Sequence, residues 1–412
     1  MNKYEKVSLF PTDILLPADA DMNKWSVVAC DQYTSQPDYW EDVKNTVGES
    51  VSTYNLVLPE LYLNGNDVDD RIKSINSNMK KYVEDGVFKE YTNSLIYIER
   101  KLNNGKVRRG IVGAIDLENY KFEPGNTAMI RATEGTVLER IPPRVKVREN
   151  ANLELPHVML LIDDADDIVF GSIKSENLYK VYDFELMKES GHLCGWKIEN
   201  CEEIADRLAE LYEKNYSQNN TMLYAVGDGN HSLATAKACW ENIKNTGVDT
   251  TNHPARYALV EIENIHDKAL DFEPIHRIVV NCDVDELLKE LDLYCGISKT
   301  GNECEQQVCS VVKGKVTKYY IKNPTSNLAV GTLQNFLDKY LADKNAEIDY
   351  IHGDDVVSNL SMQDNSIGFL LPSMEKSDLF KTIITDGILP RKTFSMGEAC
   401  DKRFYVEARK IK

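Results

Sequence analysis

The spacing of apolar residues divides this chain into short strands and amphipathic helices. Residues 223–226 form an apolar run of strand length, and Leu233, Ala236 and Trp240 then recur at the spacing of one helical face. Further helices are predicted over residues 70–87, 202–216, 283–293 and 333–341. Further strands are predicted over residues 27–30, 94–100, 107–116, 158–162, 256–262, 315–322 and 366–372, the second and third of them as a hairpin.

This mixture of hairpins and strand–helix units predicts an α+β, or mixed α/β, fold rather than a regular doubly wound sheet. A chain of 412 residues is too long for one small core. Because the texture of the sequence changes near residue 280, we expect a main domain over residues 1–280 and a smaller C-terminal α+β subdomain over residues 281–412.

A glycine-rich turn joins the strand at 223–226 to the helix that follows it. The turn consists of Gly227, Asp228, Gly229, Asn230, His231 and Ser232. The two glycines permit backbone angles that other residues avoid, and Asn230 and Ser232 are good helix N-caps. The exposed N–H groups of a helix start bind anions, most often phosphate, and Asp228 and His231 beside them are able to move protons. An ordinary capped turn fits the same residues equally well.

Residues 129–163 carry the most basic segment of the chain. Its candidate phosphate ligands are Arg131, Arg140, Arg144 and Arg148. Arginines that converge on a cleft would hold phosphate through paired hydrogen bonds, whereas a solvated surface explains the same run of charge. Glu134 in this segment and Asp31, after the strand at 27–30, are candidate bases.

Two pairs of polar residues beside later strands complete the candidate binding residues. They are His276 with Arg277, after Pro274, and His352 with Asp354. Single pairs of this kind are also common in structural roles.

Composition and charge narrow the classes of function. The net charge of −18 argues against DNA or RNA as the main partner, but it allows a small phosphorylated substrate in a local basic pocket. No apolar run reaches the ~18 residues of a membrane span, and the first residues lack the apolar core of a signal peptide, so we expect a cytoplasmic protein without a membrane partner. The nine cysteines form no C-x-x-C pair, so no zinc site is predicted.

Five blocks in order along the chain resemble the bacterial and archaeal family catalogued as domain of unknown function 1015. They are Glu134 with Thr136, the glycine turn 227–232, Pro274-Ile-His-Arg277, Ile348-Asp-Tyr-Ile-His-Gly353 and Leu389-Pro-Arg-Lys-Thr-Phe394. Many members carry Asp-Gly-His-His-Arg where this chain has Asp228-Gly-Asn-His-Ser232, so Asn230 and Ser232 depart from that motif.

The fuller motif is similar to that of serine kinases with a ParB/sulfiredoxin-like fold. In those enzymes the loop and helix start hold nucleotide phosphates, and a carboxylate elsewhere activates the serine hydroxyl. The resemblance therefore implies a ParB/sulfiredoxin-like core, phosphoryl transfer that involves serine or phosphoserine, and the use of ADP or ATP with Mg²⁺.

Three hypotheses about function follow. In a phosphotransferase or phosphatase, residues 229–233 would bind the phosphoryl group, His231 would shuttle a proton, Asp228 would orient His231 or hold Mg²⁺, and Asp31 or Glu134 would accept the proton of the substrate hydroxyl. A non-catalytic sensor of a nucleotide or phosphorylated metabolite would use the same pocket, and the missing arginine at 232 favours it. A ParB-like DNA-binding protein conflicts with the net charge.

Overall fold

The computed structural model describes residues 2–135, 138–216, 221–302 and 305–412. Thr136 and Cys304 therefore lie outside the described residues. The chain divides into two compact units, the first formed by Met1–Leu270 with Glu398–Lys412 and the second by Asp271–Gly397. The boundary predicted near residue 280 thus lies later than this division, because residues 276–280 pair with strands of the second unit. The prediction also missed that the last fifteen residues (398–412) return to the first unit.

The chain contains both runs of consecutive strands and strands followed by helices. The strands are β1 (Leu9–Phe10), β2 (Thr12–Pro17), β3 (Val27–Val28), β4 (Phe88–Lys101), β5 (Val107–Asp116), β6 (Tyr120–Lys121), β7 (Ile130–Ala132), β8 (Leu153–Glu154), β9 (Met159–Ile162), β10 (Tyr179–Glu185), β11 (His192–Ile198), β12 (Tyr224–Asp228), β13 (Tyr257–Asn264), β14 (Phe272–Pro274), β15 (His276–Val280), β16 (Ile297–Ser298), β17 (Gln306–Val312), β18 (Lys315–Ile321), β19 (Glu347–Ile351), β20 (Ile367–Leu370), β21 (Phe394–Met396), β22 (Phe404–Tyr405) and β23 (Arg409–Lys410). The helices are α1 (Lys3–Val7), α2 (Met22–Trp25), α3 (Pro37–Val47), α4 (Val68–Glu84), α5 (Ile141–Arg148), α6 (Cys201–Asn215), α7 (Asn230–Asn245), α8 (Val284–Cys295), α9 (Ala329–Leu341), α10 (Asp354–Leu360) and α11 (Lys376–Asp386).

One large mixed sheet organises the first unit. Its strands follow the order β10-β11-β4-β5-β13-β9-β12-β7-β6, and β1 and β2 extend it by pairing with β5 and β4. Most neighbours are antiparallel, but β7 runs parallel to both β12 and β6, and β13 runs parallel to β9. The mixed α/β class predicted from the sequence is therefore confirmed.

Apolar residues cover both faces of this sheet, because successive side chains of a strand point to opposite sides. On β4, Leu95 and Tyr97 join a cluster with residues of α6 and α7, whereas Ile96 and Ile98 join a second cluster with residues of α3 and α4. The helices on the two faces therefore bury the sheet between them and hold its strand ends in fixed positions.

A smaller antiparallel sheet forms the centre of the second unit. Its order is β16-β18-β17-β20-β15-β19, and β14 pairs separately with β21. Leu287 of α8 and Leu337 of α9 are fully buried. This unit has the α+β character that the sequence predicts for the C-terminal part.

Candidate functional site

The predicted strand, glycine turn and helix are confirmed as β12, Gly229 and α7. Gly229 is the N-cap residue of α7 and has a φ of +79°, in the left-handed region that favours glycine. Asn230 and Ser232 lie inside the helix, so the prediction that they cap it was wrong. Because glycine has no side chain, the cap supplies no acceptor to the first turn of α7, whose N–H groups and dipole favour an anion.

The carboxylate of Asp228 lies directly before this helix start. Its Oδ1 accepts a hydrogen bond of 2.8 Å from the Gly229 N–H, and its Oδ2 lies 3.1 Å from Nζ of Lys402. Burial acts to raise the pKa of Asp228, but Lys402 and His157 outweigh it and hold this pKa below its ordinary value. An ionised carboxylate and a lysine therefore stand together at the start of α7.

His157 links the turn to the loop that contains Asp31. The β-carbon of any side chain introduced at position 229 would lie 3.5 Å from Cδ2 of His157. His157 Nε2 is 3.7 Å from Oδ2 of Asp31, and its Nδ1 is 2.7 Å from the hydroxyl of Tyr405. The structure thus brings Asp31, a predicted base, to the residues around Asp228.

The hydroxyl of Tyr405 fixes the orientation of the His157 ring. This oxygen accepts a hydrogen bond of 3.1 Å from the Cys30 N–H, and burial raises the pKa of Tyr405 well above its ordinary value. A protonated hydroxyl that already accepts one bond donates its hydrogen to Nδ1 of His157. In the neutral ring, the proton is therefore assigned to Nε2, on the side of Asp31. Burial, followed by Asp31, raises the pKa of Cys30 to about 12, which does not suit a nucleophilic thiol.

Asn230 connects the helix start to the neighbouring strand. Its Oδ1 accepts from the Thr133 N–H at 3.2 Å, and its Nδ2 donates to Oγ1 of Thr133 at the same distance. β7 and β12 are parallel, with Ala132 opposite Val226, so both strands end on the side of the sheet where α7 begins. Glu134 and His231 are both half-buried at this end of the sheet.

The four predicted arginines lie in different surroundings and do not converge on the glycine turn. Arg131 is buried and donates from Nε to the carbonyl of Ala128, whereas the side chain of Arg140 is exposed. Arg144 pairs with Glu60, and Arg148 pairs with Glu154 at 2.5 Å. Arg144 remains near the site, because the Glu60 N–H donates to the carbonyl of Cys30.

The predicted ligands of the C-terminal half lie in the second unit. Buried His276 accepts from the Leu371 N–H at 3.1 Å and contacts Asp354 at 2.7 Å, while His352 is exposed. The guanidinium of Arg277 is fully buried and donates to Gln334 and to three backbone carbonyls, those of Ile275, Arg391 and Lys392. Arg277 therefore holds backbone carbonyls of the second unit, and its role as a phosphate ligand stays a prediction.

Buried arginines fix the segment of residues 400–407, which carries Lys402 and Tyr405. Arg100 donates to the carbonyls of Ser190, Cys400, Asp401 and Lys402, and Arg108 donates to that of Asp401 at 2.8 Å. Arg403 contacts Glu261 and Glu407 and donates to the carbonyl of Pro156, immediately before His157.

His157, Lys402 and Tyr405 were missed by the sequence analysis. His157 directly precedes the predicted strand at 158–162, and that position was the only available signal. Tyr405 belongs to β22, and Lys402 lies just before it. The pairing of β22 with β3 joins distant parts of the chain. Nothing in the local pattern of residues indicates such a pairing.

The structure also bears on membrane association. None of the helices in the described ranges combines the length and apolar character that a bilayer crossing requires.

Comparisons with known proteins place the chain in a family and give distant structural likenesses. The family model described as "Protein of unknown function (DUF1015)" matches residues 11–340. A comparison with curated proteins found no match. A mutant of free serine kinase in complex with AMP is similar, with a TM-score of 0.42 and 10% identity over 74% of this chain and 93% of that one. A conserved hypothetical protein from Pyrococcus furiosus gives a TM-score of 0.34 at 11% identity, over 72% and 94% of the two chains.

Proposed function

We propose, for a chain that belongs to the DUF1015 family of proteins of unknown function, that it is a phosphoryl-transfer enzyme acting on a small hydroxylated or phosphorylated metabolite. Serine or phosphoserine is the first substrate to test. The observation that carries the proposal is the ion pair between Asp228 and Lys402 at the start of α7, where the N-cap residue Gly229 has no side chain to accept a hydrogen bond. Phosphoryl transfer depends mainly on positioning and on charge stabilisation, which these groups supply.

The phosphoryl group would bind at the first turn of α7. N–H groups at a helix start and a lysine ammonium both attract phosphate oxygens, and Lys402 acts there as a point charge. Ser232, half-buried in the same turn, would add a hydroxyl donor. Asn230 would hold the turn in place through its hydrogen bonds to Thr133. The glycines at 227 and 229 would allow the phosphoryl group to approach the backbone closely.

Proton transfer would fall to Asp31 with His157. A carboxylate accepts the proton of a substrate hydroxyl, and the adjacent imidazole, whose proton lies on Nε2, orients that carboxylate and stabilises its charge. The 3.7 Å separation of the two side chains would let Nε2 of His157 donate a hydrogen bond to Asp31 after a small rotation. His231 in the first turn of α7, and Glu134 just beyond the end of β7, are the second candidates for this role.

The residues present fit a magnesium ion and a nucleotide phosphate. Asp228 is held ionised, and its carboxylate offers the oxygen ligands that Mg²⁺ prefers. When bound, Mg²⁺ would neutralise phosphate charge. Lys402 would supply a second positive charge for the phosphoryl oxygens. ADP or ATP is the phosphate carrier that this arrangement suits.

The direct test is phosphorus NMR of the protein with O-phosphoserine and Mg²⁺, with and without ADP. Appearance of free phosphate would identify a phosphatase, and appearance of ATP would identify a kinase working in reverse. An unchanged spectrum from folded protein would remove phosphoserine as the substrate.

Variants of the proton-transfer pair test the assigned roles. Asp31→Asn and His157→Gln should each reduce turnover by about 10²–10⁴-fold, the range for a lost general acid or base. Matched controls are Asp166→Asn and His266→Gln, since those side chains form ion pairs elsewhere on the first unit, with Lys214 and Asp163. Wild-type turnover in folded Asp31→Asn and His157→Gln would contradict the assignment.

A specific observation favours a second candidate, the non-catalytic sensor. Arg144 and Arg148 already pair with carboxylates, and position 232 holds serine. Fewer cations then remain to stabilise a transferring phosphoryl group. Tight binding of a nucleotide or of O-phosphoserine by calorimetry, with no product after long incubation, would favour the sensor over the enzyme.

A further inference from the structure

Three residues with different ligand atoms meet at the edge of the large sheet, on strands β10 and β11. The register places Asp183 directly opposite Cys194 and Glu185 opposite His192. Since side chains two positions apart on a strand share a face, His192 and Cys194 point to the same side, and Asp183 joins them there. This group takes no part in the proposed phosphoryl chemistry.

The three side chains are already in contact. His192 Nε2 lies 2.9 Å from Oδ1 of Asp183, and Sγ of Cys194 lies 3.7 Å from Nδ1 of His192. One ligand atom from each residue lies within 4.8 Å of the other two. Within residues 2–135, 138–216, 221–302 and 305–412, this is the one group of three or more such residues that meets that distance.

We propose that Asp183, His192 and Cys194 form a binding site for a divalent zinc-type cation. Thiolate, imidazole and carboxylate are the donors that zinc uses, at about 2.0–2.3 Å from the ion. A tetrahedral ion at those distances separates its ligand atoms by roughly 3.3–3.8 Å. His192 now contacts Asp183 through Nε2 and Cys194 through Nδ1, so its ring would turn to present one nitrogen to an ion that all three residues share. His192 binds through one ring nitrogen, and a fourth position stays open to water.

Lys180 competes with the cation for Asp183. Its ammonium lies 2.5 Å from Oδ2 of Asp183 and 5.6 Å from the centre of the Trp196 ring. A bound metal would replace this ammonium as the counter-charge, and the lysine would keep its position over the aromatic ring. Removing Lys180 should therefore tighten metal binding, an effect that a merely structural hydrogen-bonded triad does not produce.

A metal here would join the edge strand to the body of the sheet. β10 is the outermost strand of the sheet order, and its pairing with β11 contains an irregularity between Lys180 and Tyr182. Ligands from both strands would bridge the pair just beyond this irregularity. The expected consequence is slower amide hydrogen exchange in β10 when the ion is bound.

The test is titration of the full chain with Co²⁺, which replaces zinc and absorbs characteristically when a thiolate is a ligand. We expect a near-ultraviolet thiolate-to-cobalt band that saturates and is abolished by added Zn²⁺. Cys194→Ser should remove the band. His192→Gln should weaken binding by more than about 100-fold, since loss of even an outer partner of a ligand costs about 10–100-fold. Lys180→Met should shift the titration to lower Co²⁺ concentration.

Cys309→Ser and His266→Gln are the controls, because each removes a half-buried residue of the same type elsewhere in the chain. Both should keep the band of the wild type. A wild-type protein without the band, a band that survives in Cys194→Ser, or unchanged affinity in Lys180→Met would each overturn the proposal. The measurement is independent of phosphoryl transfer.

Discussion

Lys402 Nζ lies 3.1 Å from Oδ2 of Asp228, although the whole second unit separates the two residues in sequence. Both side chains are largely buried, with exposed fractions of 13% for the lysine and 18% for the aspartate. A buried lysine beside a carboxylate and a helix start is a cation placed where a phosphoryl group would bind. This relationship leads to the first prediction.

Lys402→Met should reduce phosphoryl transfer by about 10²–10³-fold, the usual effect of removing one group that stabilises transition-state charge. It should also lower the free energy of unfolding by about 1–3 kcal/mol, since Asp228 keeps its bond from Gly229 but loses its cation. Lys410→Met is the control, because Lys410 pairs with Glu90 on the surface. Full activity in folded Lys402→Met would exclude a role for this lysine in transfer.

Gly229→Ala should destabilise the protein more than Gly247→Ala does. Both glycines have nearly the same φ, +79° and +78°, so both substitutions carry the left-handed penalty of about 1–2 kcal/mol. Only at position 229 would the new β-carbon meet another backbone, 3.0 Å from Cα of Val158, which adds about 1–3 kcal/mol. Urea unfolding of both variants measures the difference, and equal losses would contradict close packing of the turn.

Arg100→Lys should lower kcat by about 10-fold or more through displacement of Lys402, since misplacement of about 1 Å can cost 10²-fold. A lysine cannot reproduce the guanidinium bonds to the carbonyls of residues 400–402. Arg256→Lys is the control, because Arg256 makes a paired contact with Asp116 instead. If Arg100→Lys loses stability but keeps kcat and KM, the arginine is structural only.

Glu118→Gln should lower stability at neutral pH, and the loss should shrink as the solution is acidified. Burial acts to raise the pKa of Glu118, but hydrogen bonds from Lys244 and Trp240 outweigh it and bring this pKa to about 2. A depressed folded-state pKa gives stability that is fully present above the unfolded value of 4.5 and is lost as pH falls from about 5 toward 2.

The carboxylate of Glu118 is 38% exposed, so solvent screening limits its contribution to about 1 kcal/mol. Urea unfolding at pH 7 and pH 4 checks the prediction against the control Glu210→Gln, which removes an exposed pair with Arg207. A difference between wild type and Glu118→Gln that stays constant over this range would contradict the shifted pKa.

Local patterns predicted most elements of the fold. The helix at 202–216 is α6 (Cys201–Asn215), and the hairpin at 94–100 and 107–116 is formed by β4 and β5. The strand, glycine turn and helix of β12 and α7 were likewise predictable from the sequence, because the apolar run, the glycines and the helical spacing follow one another directly. Its cap was misassigned because a glycine in the left-handed region replaced the side-chain cap that Asn230 would supply.

The chain's own residue order determined that a glycine turn would present a helix start beside Asp228 and His231, because backbone freedom and periodicity are local properties. Only the tertiary structure decided which side chains surround them. Lys402, His157 and Asp31 reach the turn through contacts between distant segments, and Asp183 meets Cys194 through strand register. Such contacts depend on which strands pair and in what register, and these choices are made by burial of the whole core rather than by any short stretch of sequence.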